Sequence, residues 1–211
     1  TEQGARAATS HTGALAGSST VWKAMVKQTG IVDVESVEEV VDCALAFHYL
    51  PLPRGRRIAI IGGQGGTGVG TADNCYNLGL TLPQLSETTV ARLREVLPPV
   101  GTSVGNPTDT GVASLLNPSL YAQAIEIVAA DPNIDMILVI STPVQACLEH
   151  VAAAANSIDK PLAVSVYALP ESEPGIYKFL SEKGVAAYPD PKRAVWVLSR
   201  MADYAEARAS E

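Results

Sequence analysis

Apolar and polar positions follow two different patterns along the chain. Between residues 21 and 26 apolar side chains recur at helical spacing, and Ser36 with Glu39 forms a capping-box pattern ahead of a second such segment. We therefore predict two short amphipathic helices, joined by a short strand at residues 31–34. Residues 1–20 are rich in Gly, Ala, Ser and Thr and have no apolar period, which predicts a loop.

Beyond a Pro- and Gly-containing linker at residues 51–55, short and almost wholly apolar segments alternate with longer amphipathic ones. Strands that are apolar on both faces are typical of a parallel sheet covered by helices on both sides. The pattern predicts a flavodoxin-like, doubly wound α/β domain over residues 56–211, preceded by a loop and helical extension over residues 1–55. The predicted strands are residues 57–61, 135–140, 162–167 and 185–188, with 80–85 a weak fifth that contains a proline, and the predicted helices are 66–78, 87–97, 118–130, 144–156, 174–183 and 191–207.

Charge and composition exclude several classes of function. The net charge of −7 over 211 residues offers no basic surface for nucleic acid. No apolar run reaches about 18 residues and the N-terminal residues do not resemble a signal peptide, so we expect a soluble, cytoplasmic protein. The three cysteines lie far apart, which predicts buried, reduced thiols and no metal site.

A glycine-rich turn, residues 62–70, lies directly between a predicted strand and a predicted helix. Backbone N–H groups and the positive end of the helix dipole meet there, which predicts an anion site. Two alternatives remain open: a tightly packed structural turn, or a dinucleotide fingerprint, which needs an acidic residue ending a second strand, where only Glu87 is available after a poor strand. No Gly-Lys-Ser/Thr follows, which excludes a P-loop. The candidate phosphate-binding residues are Gly65, Gly66, Thr67 and Gly68.

His11 differs from the other two histidines in its surroundings. Ser10 and Thr12 flank it and glycines follow, so that hydroxyl groups could orient the imidazole or bind phosphate oxygens. An unperturbed histidine is largely neutral at cellular pH, and a ring nitrogen can then attack a phosphoryl group. We interpret His48 and His150 as ordinary core or surface residues.

Residues 7–17 resemble the phosphohistidine loop of ADP-forming acetyl-CoA synthetases and of the related succinyl-CoA synthetase. The order of the later segments is also similar: the strand and turn at residues 58–70, the helix ending in Leu-Pro-Pro at 97–99, and Asn-Pro-Thr-Asp at 106–109. The resemblance extends through most of the chain and is most specific at residues 7–17 and 57–110. It implies a fragment or subunit of an acid–thiol ligase that converts a carboxylate, CoA and ATP into acyl-CoA, ADP and phosphate.

In that scheme His11 is the nucleophile and phosphoryl carrier, and the helix after the glycine-rich turn stabilises the phosphohistidine. Ser10, Thr12, Asn106 and Asp109 have supporting roles, with packing the alternative for Asn106 and Asp109.

The resemblance also implies what else the enzyme needs. The substrates are ATP or ADP, CoA, phosphate and a small carboxylic acid; Mg²⁺ accompanies the nucleotide, and no cofactor is covalently bound. The CoA-binding and ATP-grasp domains, in the same polypeptide or another subunit, are the expected partners, with an oligomer possible. Without them we expect the chain to be inactive. The alternatives are a non-catalytic flavodoxin-like module that binds phosphate, a nucleotide, flavin or CoA, and a Rossmann dehydrogenase.

Overall fold

A four-stranded parallel sheet in the order β1-β2-β3-β4 is the centre of the fold in a computed structural model. The structure describes residues 2–12, 17–62, 65–167 and 173–209. Ile58 is in register with Met136, Ile137 with Leu162, and Val164 with Ala187. The four main predicted strands are confirmed as β1 (Ile58–Gly62), β2 (Met136–Ser141), β3 (Leu162–Val166) and β4 (Ala187–Tyr188).

Helices cover both faces of this sheet, which confirms the predicted α/β class. The six helices predicted after residue 56 are present with ends shifted by at most two residues, and a short helix, α6, was not predicted. The helices are α1 (Glu2–Thr12), α2 (Ser19–Thr29), α3 (Val37–Tyr49), α4 (Gly65–Asn77), α5 (Glu87–Val96), α6 (Ala113–Leu116), α7 (Ser119–Ala129), α8 (Gln145–Ala155), α9 (Pro174–Glu182) and α10 (Pro191–Ala209).

Alternate strand residues enter two separate hydrophobic cores. Ala59 and Ile61 of β1 pack with α5, α7, α8 and α9 on one face. Ile58 and Ile60 pack with α3, α4 and α10 on the other. Every residue of β1 is buried, because both faces of the sheet are covered. This double burial explains why the strands are nearly continuous apolar runs in the sequence.

The N-terminal segment departs from the prediction in two places. Residues 2–12, expected to be loop, form α1, because Glu, Gln, Arg and repeated Ala favour helix. Residues 31–34, expected to be a strand, form neither strand nor helix, since no neighbouring segment pairs with them. Among the α1 side chains whose burial is described, Ala8 alone is half-buried and the others are exposed. The first helix therefore contributes little to either core.

Helix α3 begins as predicted, but its buried side contains a charged residue while two of its valines are exposed. The Ser36 hydroxyl accepts a hydrogen bond from the Glu39 N–H at 3.1 Å, which confirms Ser36 as the N-cap, while the Glu39 carboxylate accepts from the N–H of Glu35, one residue before the cap, at 2.6 Å. Val37 and Val41 are exposed, whereas Asp42 is buried. The Arg193 guanidinium donates two hydrogen bonds of 2.8 Å to the Asp42 carboxylate and so ties α3 to α10.

Candidate functional site

The N terminus of α4 is open at the carboxyl end of β1. Gly62, the last residue of β1, has φ +79°, and its N–H donates to the Thr108 carbonyl at 2.8 Å. A side chain there would collide with the Ile140 carbonyl oxygen, 2.4 Å from the Cβ position, so this turn requires glycine. Gly65 and Gly66 are exposed, and a Cβ added to either would meet no described atom within 4 Å. The anion site predicted at this helix start is therefore unobstructed in the described part of the chain.

The next two candidate phosphate-binding residues are less exposed than the first two. Thr67 is half-buried, and its carbonyl accepts a hydrogen bond of 2.7 Å from the Thr71 hydroxyl. Gly68 is buried, and its Cβ position lies 3.7 Å from Cβ of Pro107. Gly68 thus packs against Pro107, whereas Gly65 and Gly66 are exposed, and phosphate binding by any of the four residues stays a prediction.

Asn106 replaces a missing strand with its side chain. The predicted fifth strand at residues 80–85 is reduced to a single parallel bridge between Arg57 and Thr81. Beyond this bridge, the Asn106 carboxamide accepts from the Ile60 N–H at 3.0 Å and donates to the Ile58 carbonyl at 2.9 Å. The amide thus mimics a peptide group at the edge of β1, between the parallel bridges that Thr81 and Thr108 form there.

The second N–H of the Asn106 amide donates to the Pro83 carbonyl at 3.1 Å. The oxygen and both N–H donations of the Asn106 amide therefore go to backbone groups, which fits the packing alternative, and a supporting role for Asn106 at the phosphoryl site stays a prediction.

Asp109 shapes the loop that faces the glycine-rich turn. Its carboxylate accepts a hydrogen bond of 2.8 Å from the Gly111 N–H, and its backbone pairs with Ser103 at 2.9 and 3.0 Å. Gly111 has φ +58°, and its Cβ position lies 2.0 Å from the Gly101 carbonyl oxygen, so only glycine fits. The two loop segments are consequently held together tightly beside α4.

A cavity of about 260 Å³ lies between this loop, the start of α4 and the residues at or just after the ends of β2 and β3. We call it the switch-point cavity. If the Thr81 segment is counted as a strand, there are five strands, and numbering them by their order in the chain gives the flavodoxin-like spatial order 2-1-3-4-5. The cavity lies at the point where this order reverses. Ligands of doubly wound proteins bind at such points. The residues that define it are Gly65, Asp109, Ser114, Leu115, Tyr121 and Tyr167.

Buried hydroxyl groups lie beneath the switch-point cavity. The Thr110 hydroxyl donates to that of Ser114 at 3.2 Å, and Ser114 donates to the Gly111 carbonyl at 2.9 Å. Burial raises the pKa of the Tyr121 phenol, and nearby Ser114 and Thr110 hydroxyls oppose that rise. The members of this cluster lie close together in the chain, between residues 110 and 121, but they follow no motif that predicts a site.

His11 lies in the last turn of α1. The hydroxyl of the adjacent Ser10 is exposed and donates to the Ala7 carbonyl at 2.9 Å. The side chains of His11 and Thr12 lie outside the described residues, so the approach of this imidazole to α4 stays a prediction. His48 and His150 are exposed, as expected for ordinary surface residues.

Glu87 does not occupy the position that a nicotinamide dehydrogenase requires. It begins α5, where the Ser86 hydroxyl accepts a hydrogen bond from the Thr89 N–H at 3.2 Å. No described strand lies between α4 and α5, so the Glu87 carboxylate does not end a second strand as the fingerprint requires. The dinucleotide fingerprint therefore lacks its acidic partner.

Further chemical groups are sparse in the part of the chain that the structure covers. Three buried cysteines are free thiols, and no group of three His, Cys, Asp or Glu side chains among the described residues could hold a metal ion. None of the described helices has the length and apolar character needed to span a bilayer.

Comparison with protein families identifies two matching segments. Residues 1–47 match the succinyl-CoA ligase like flavodoxin domain, and residues 58–211 match the Ligase-CoA domain. The chain is 34% identical over its whole length to acetate–CoA ligase [ADP-forming] I of Archaeoglobus fulgidus, covering 30% of that protein. It is 36% identical to the subunit alpha of acetate–CoA ligase [ADP-forming] I of Pyrococcus furiosus, with 99% of this chain and 46% of that protein covered. The chain belongs to the ADP-forming acyl-CoA synthetase family.

Solved structures agree with this assignment. An acetyl-coenzyme A synthetase 1 of Ca. Korarchaeum cryptofilum, in complex with phosphate and ADP, superposes with a TM-score of 0.87 at 30% identity. The match covers 99% of this chain and 46% of the solved one. The chain thus spans about a third to a half of the length of the relatives it matches. His11 falls in the first matched segment of the chain, and α4, Asn106 and Asp109 fall in the second.

Proposed function

We propose that this chain is the part of an ADP-forming acyl-CoA synthetase in which His11 accepts a phosphoryl group and the N terminus of α4 stabilises it. The open start of α4 is the observation that carries the proposal. Gly65 and Gly66 are exposed, and a Cβ added to either would meet no described atom within 4 Å. A helix start of this kind attracts a phosphoryl group through its N–H donors and its dipole, which is equivalent to roughly half a positive charge.

The reaction converts a carboxylate, CoA and ATP into acyl-CoA, ADP and phosphate, and it is reversible. In the direction of ATP formation, phosphate displaces CoA from acyl-CoA and gives an acyl phosphate. A neutral ring nitrogen of His11 then attacks phosphorus, the bond between phosphorus and the acyl oxygen breaks, and the carboxylate leaves. ADP finally takes the phosphoryl group from His11 and becomes ATP.

The other parts of the enzyme lie outside this chain. CoA and the nucleotide would bind to CoA-binding and ATP-grasp domains, in keeping with relatives that are two to three times longer. Mg²⁺ would be held with the nucleotide there. We therefore expect the isolated chain to form no acyl-CoA, and the complete enzyme to be needed for every assay of turnover.

Phosphoryl labelling of the complete enzyme tests the role of His11. Incubation with γ-labelled ATP is expected to give a protein-bound phosphate that is labile in acid and stable in base. His11→Asn should abolish this label. His48→Asn is the matched control, because His48 is exposed on α3 and the proposal gives it no role.

Two results would count against the proposal. Equal labelling of His11→Asn and wild type would place the phosphate elsewhere. Absence of label in wild type, together with retained binding of phosphate, flavin or CoA, would favour a non-catalytic binding module. No observation on the structure favours the dehydrogenase, given the position of Glu87.

A further inference from the structure

A second cavity, of about 830 Å³, lies at the end of the sheet opposite to the glycine-rich turn. Arg57, Asp135 and Pro161 border it, and each of them directly precedes a strand. Because β1, β2 and β3 are parallel, their amino ends meet here, whereas α4 follows the carboxyl end of β1. The proposed function gives this cavity no role. We call it the amino-end cavity and define it by Leu52, Arg54, Arg57, Asp135, Ile158 and Lys160.

Lys160 is the only lysine in the lining of this cavity, and a hydrogen bond fixes the position of its amino group. Its Nζ donates to the Asp131 carbonyl oxygen at 2.6 Å. Lys160 is half-buried, whereas the other five lysines of the chain, all of them in the described ranges, are exposed. Leu52, Ile134 and Ile158 line the same cavity, so its wall is partly apolar. The amine is therefore held in one place beside a partly apolar wall.

Burial makes the charged form of Lys160 less favourable. Loss of contact with water lowers the pKa of its ammonium group, and the guanidinium groups of Arg57 and Arg54 act in the same direction. The Asp131 and Asp135 carboxylates oppose this effect, although the Asp135 carboxylate is itself bonded to Arg57 at 2.7 and 2.8 Å. A larger fraction of the amine is consequently neutral than in an unperturbed lysine, and a neutral amine is a nucleophile.

The proposed reaction supplies electrophiles for such an amine, since acyl-CoA and acyl phosphate both carry an activated carbonyl group. Attack by the neutral Nζ forms a bond from nitrogen to the acyl carbon, and the bond from that carbon to the CoA sulfur or the phosphate oxygen breaks. One proton passes from nitrogen through water to the released thiolate or phosphate. The product amide keeps one N–H, which can still donate to the Asp131 carbonyl, and its neutrality suits the half-buried position.

We propose that Lys160 is a self-acylation site, at which Nζ takes the acyl group of the acyl-CoA or acyl phosphate that the enzyme itself forms. The proposal rests on the proposed function, because acyl-CoA is the product of that reaction and acyl phosphate is its intermediate. Acylation removes one of the three positive charges of the amino-end cavity, and the modified cavity is therefore more acidic. Four carboxylates remain in its lining: Glu126, Asp131, Asp135 and Asp159.

Mass spectrometry of the complete enzyme tests the site. Wild type is incubated with acetyl-CoA in one arm and with acetyl phosphate in the other, and the acetyl occupancy of each lysine is followed over time after digestion. Lys183 is the comparison within the same molecule, because it is exposed at the end of α9 and lies outside the cavity. Lys160→Arg keeps the positive charge but has no primary amine, and Lys183→Arg is the matched control.

The acylation site predicts a specific pattern of labelling. Lys160 should gain acetyl groups at least about threefold faster than Lys183 with one donor or both, because more of its amine is neutral and the amine is held in place. Labelling by acetyl-CoA alone would identify the thioester as the donor, and labelling by acetyl phosphate alone would identify the acyl phosphate. Lys160→Arg should remove the fast label, and Lys183→Arg should leave it unchanged.

Failure of this inference differs from failure of the proposed function. Acetylation of Lys160 that is no faster than that of Lys183 with either donor would overturn the acylation site, even where His11 still takes up phosphate from ATP. Absence of phosphate on His11 would overturn the proposed function. Acetylation of Lys160 by added acetyl-CoA needs no nucleotide and is therefore measured independently of that result.

Discussion

Replacement of Asn106 by alanine should destabilise the sheet severely. The substitution removes the acceptor of the Ile60 N–H and the donor to the Ile58 carbonyl, at 3.0 and 2.9 Å. Both isoleucines are fully buried, so water cannot readily replace the lost partners. The third lost bond, to the Pro83 carbonyl, costs less because that residue is half-buried.

The expected loss follows from the two buried groups. A buried backbone group left without a partner costs about 1–3 kcal/mol, which gives roughly 2–6 kcal/mol for the pair. In a domain of 150–250 residues, each kcal/mol shifts Tm by about 2–4 °C, so a loss of about 3 kcal/mol lowers Tm by roughly 6–12 °C. Thermal unfolding followed by circular dichroism measures the shift, with urea unfolding for the free energy.

A matched control and a refuting result are available. Asn77→Ala changes the same residue type on the exposed end of α4, and should alter the free energy of unfolding by less than about 0.5 kcal/mol. An Asn106→Ala protein with a Tm within about 2 °C of wild type, but without phosphate binding, would show that Asn106 contacts the anion and that its structural role here is wrong.

Three further predictions concern other parts of the fold. Gly111→Ala should destabilise by more than about 1 kcal/mol in urea unfolding, because φ is +58° and a Cβ would lie 2.0 Å from a carbonyl oxygen. Hydrogen bonding from Arg57 lowers the pKa of Asp135 in the folded protein. The stability that this interaction adds is therefore present above the pKa of the unfolded protein and is lost as the pH falls through the lowered folded-state pKa. Asp135→Asn should flatten that loss below roughly pH 4 in acid titrations of the free energy of unfolding. Burial raises the pKa of Cys43 to about 11 and of Cys75 to about 12, so iodoacetamide at neutral pH should label them only after unfolding, as mass spectrometry can show.

The sequence predicts the sheet well because burial on both faces leaves a continuous apolar signature. It fails at the edge of β1, where the Asn106 side chain and single bridges from Thr81 and Thr108 supply the pairing expected of a second strand. No local pattern distinguishes such an amide from one that binds phosphate. The proline within residues 80–85 predicts only a weak strand there, and a single bridge, between Arg57 and Thr81, forms in this segment.

The N-terminal helices show a second limit of local patterns. The apolar stripe of α3 is exposed, because Asp42 faces inward to meet Arg193, a residue 151 positions away. Residues 2–12 contain small and hydroxyl side chains that predict a loop, but their Glu, Gln, Arg and Ala residues favour the helix that forms. His11 could be singled out by its neighbours, whereas the switch-point cavity arises only when distant loops meet.

Localisation of the phosphoryl group by mass spectrometry tests the central claim most directly. The complete enzyme would be incubated with ATP, digested at alkaline pH and fragmented by electron transfer, which preserves phosphohistidine. The account predicts phosphate on the peptide that contains His11 and its loss when ADP is added. Phosphate on any other residue, or on none while acyl-CoA still forms, would contradict it.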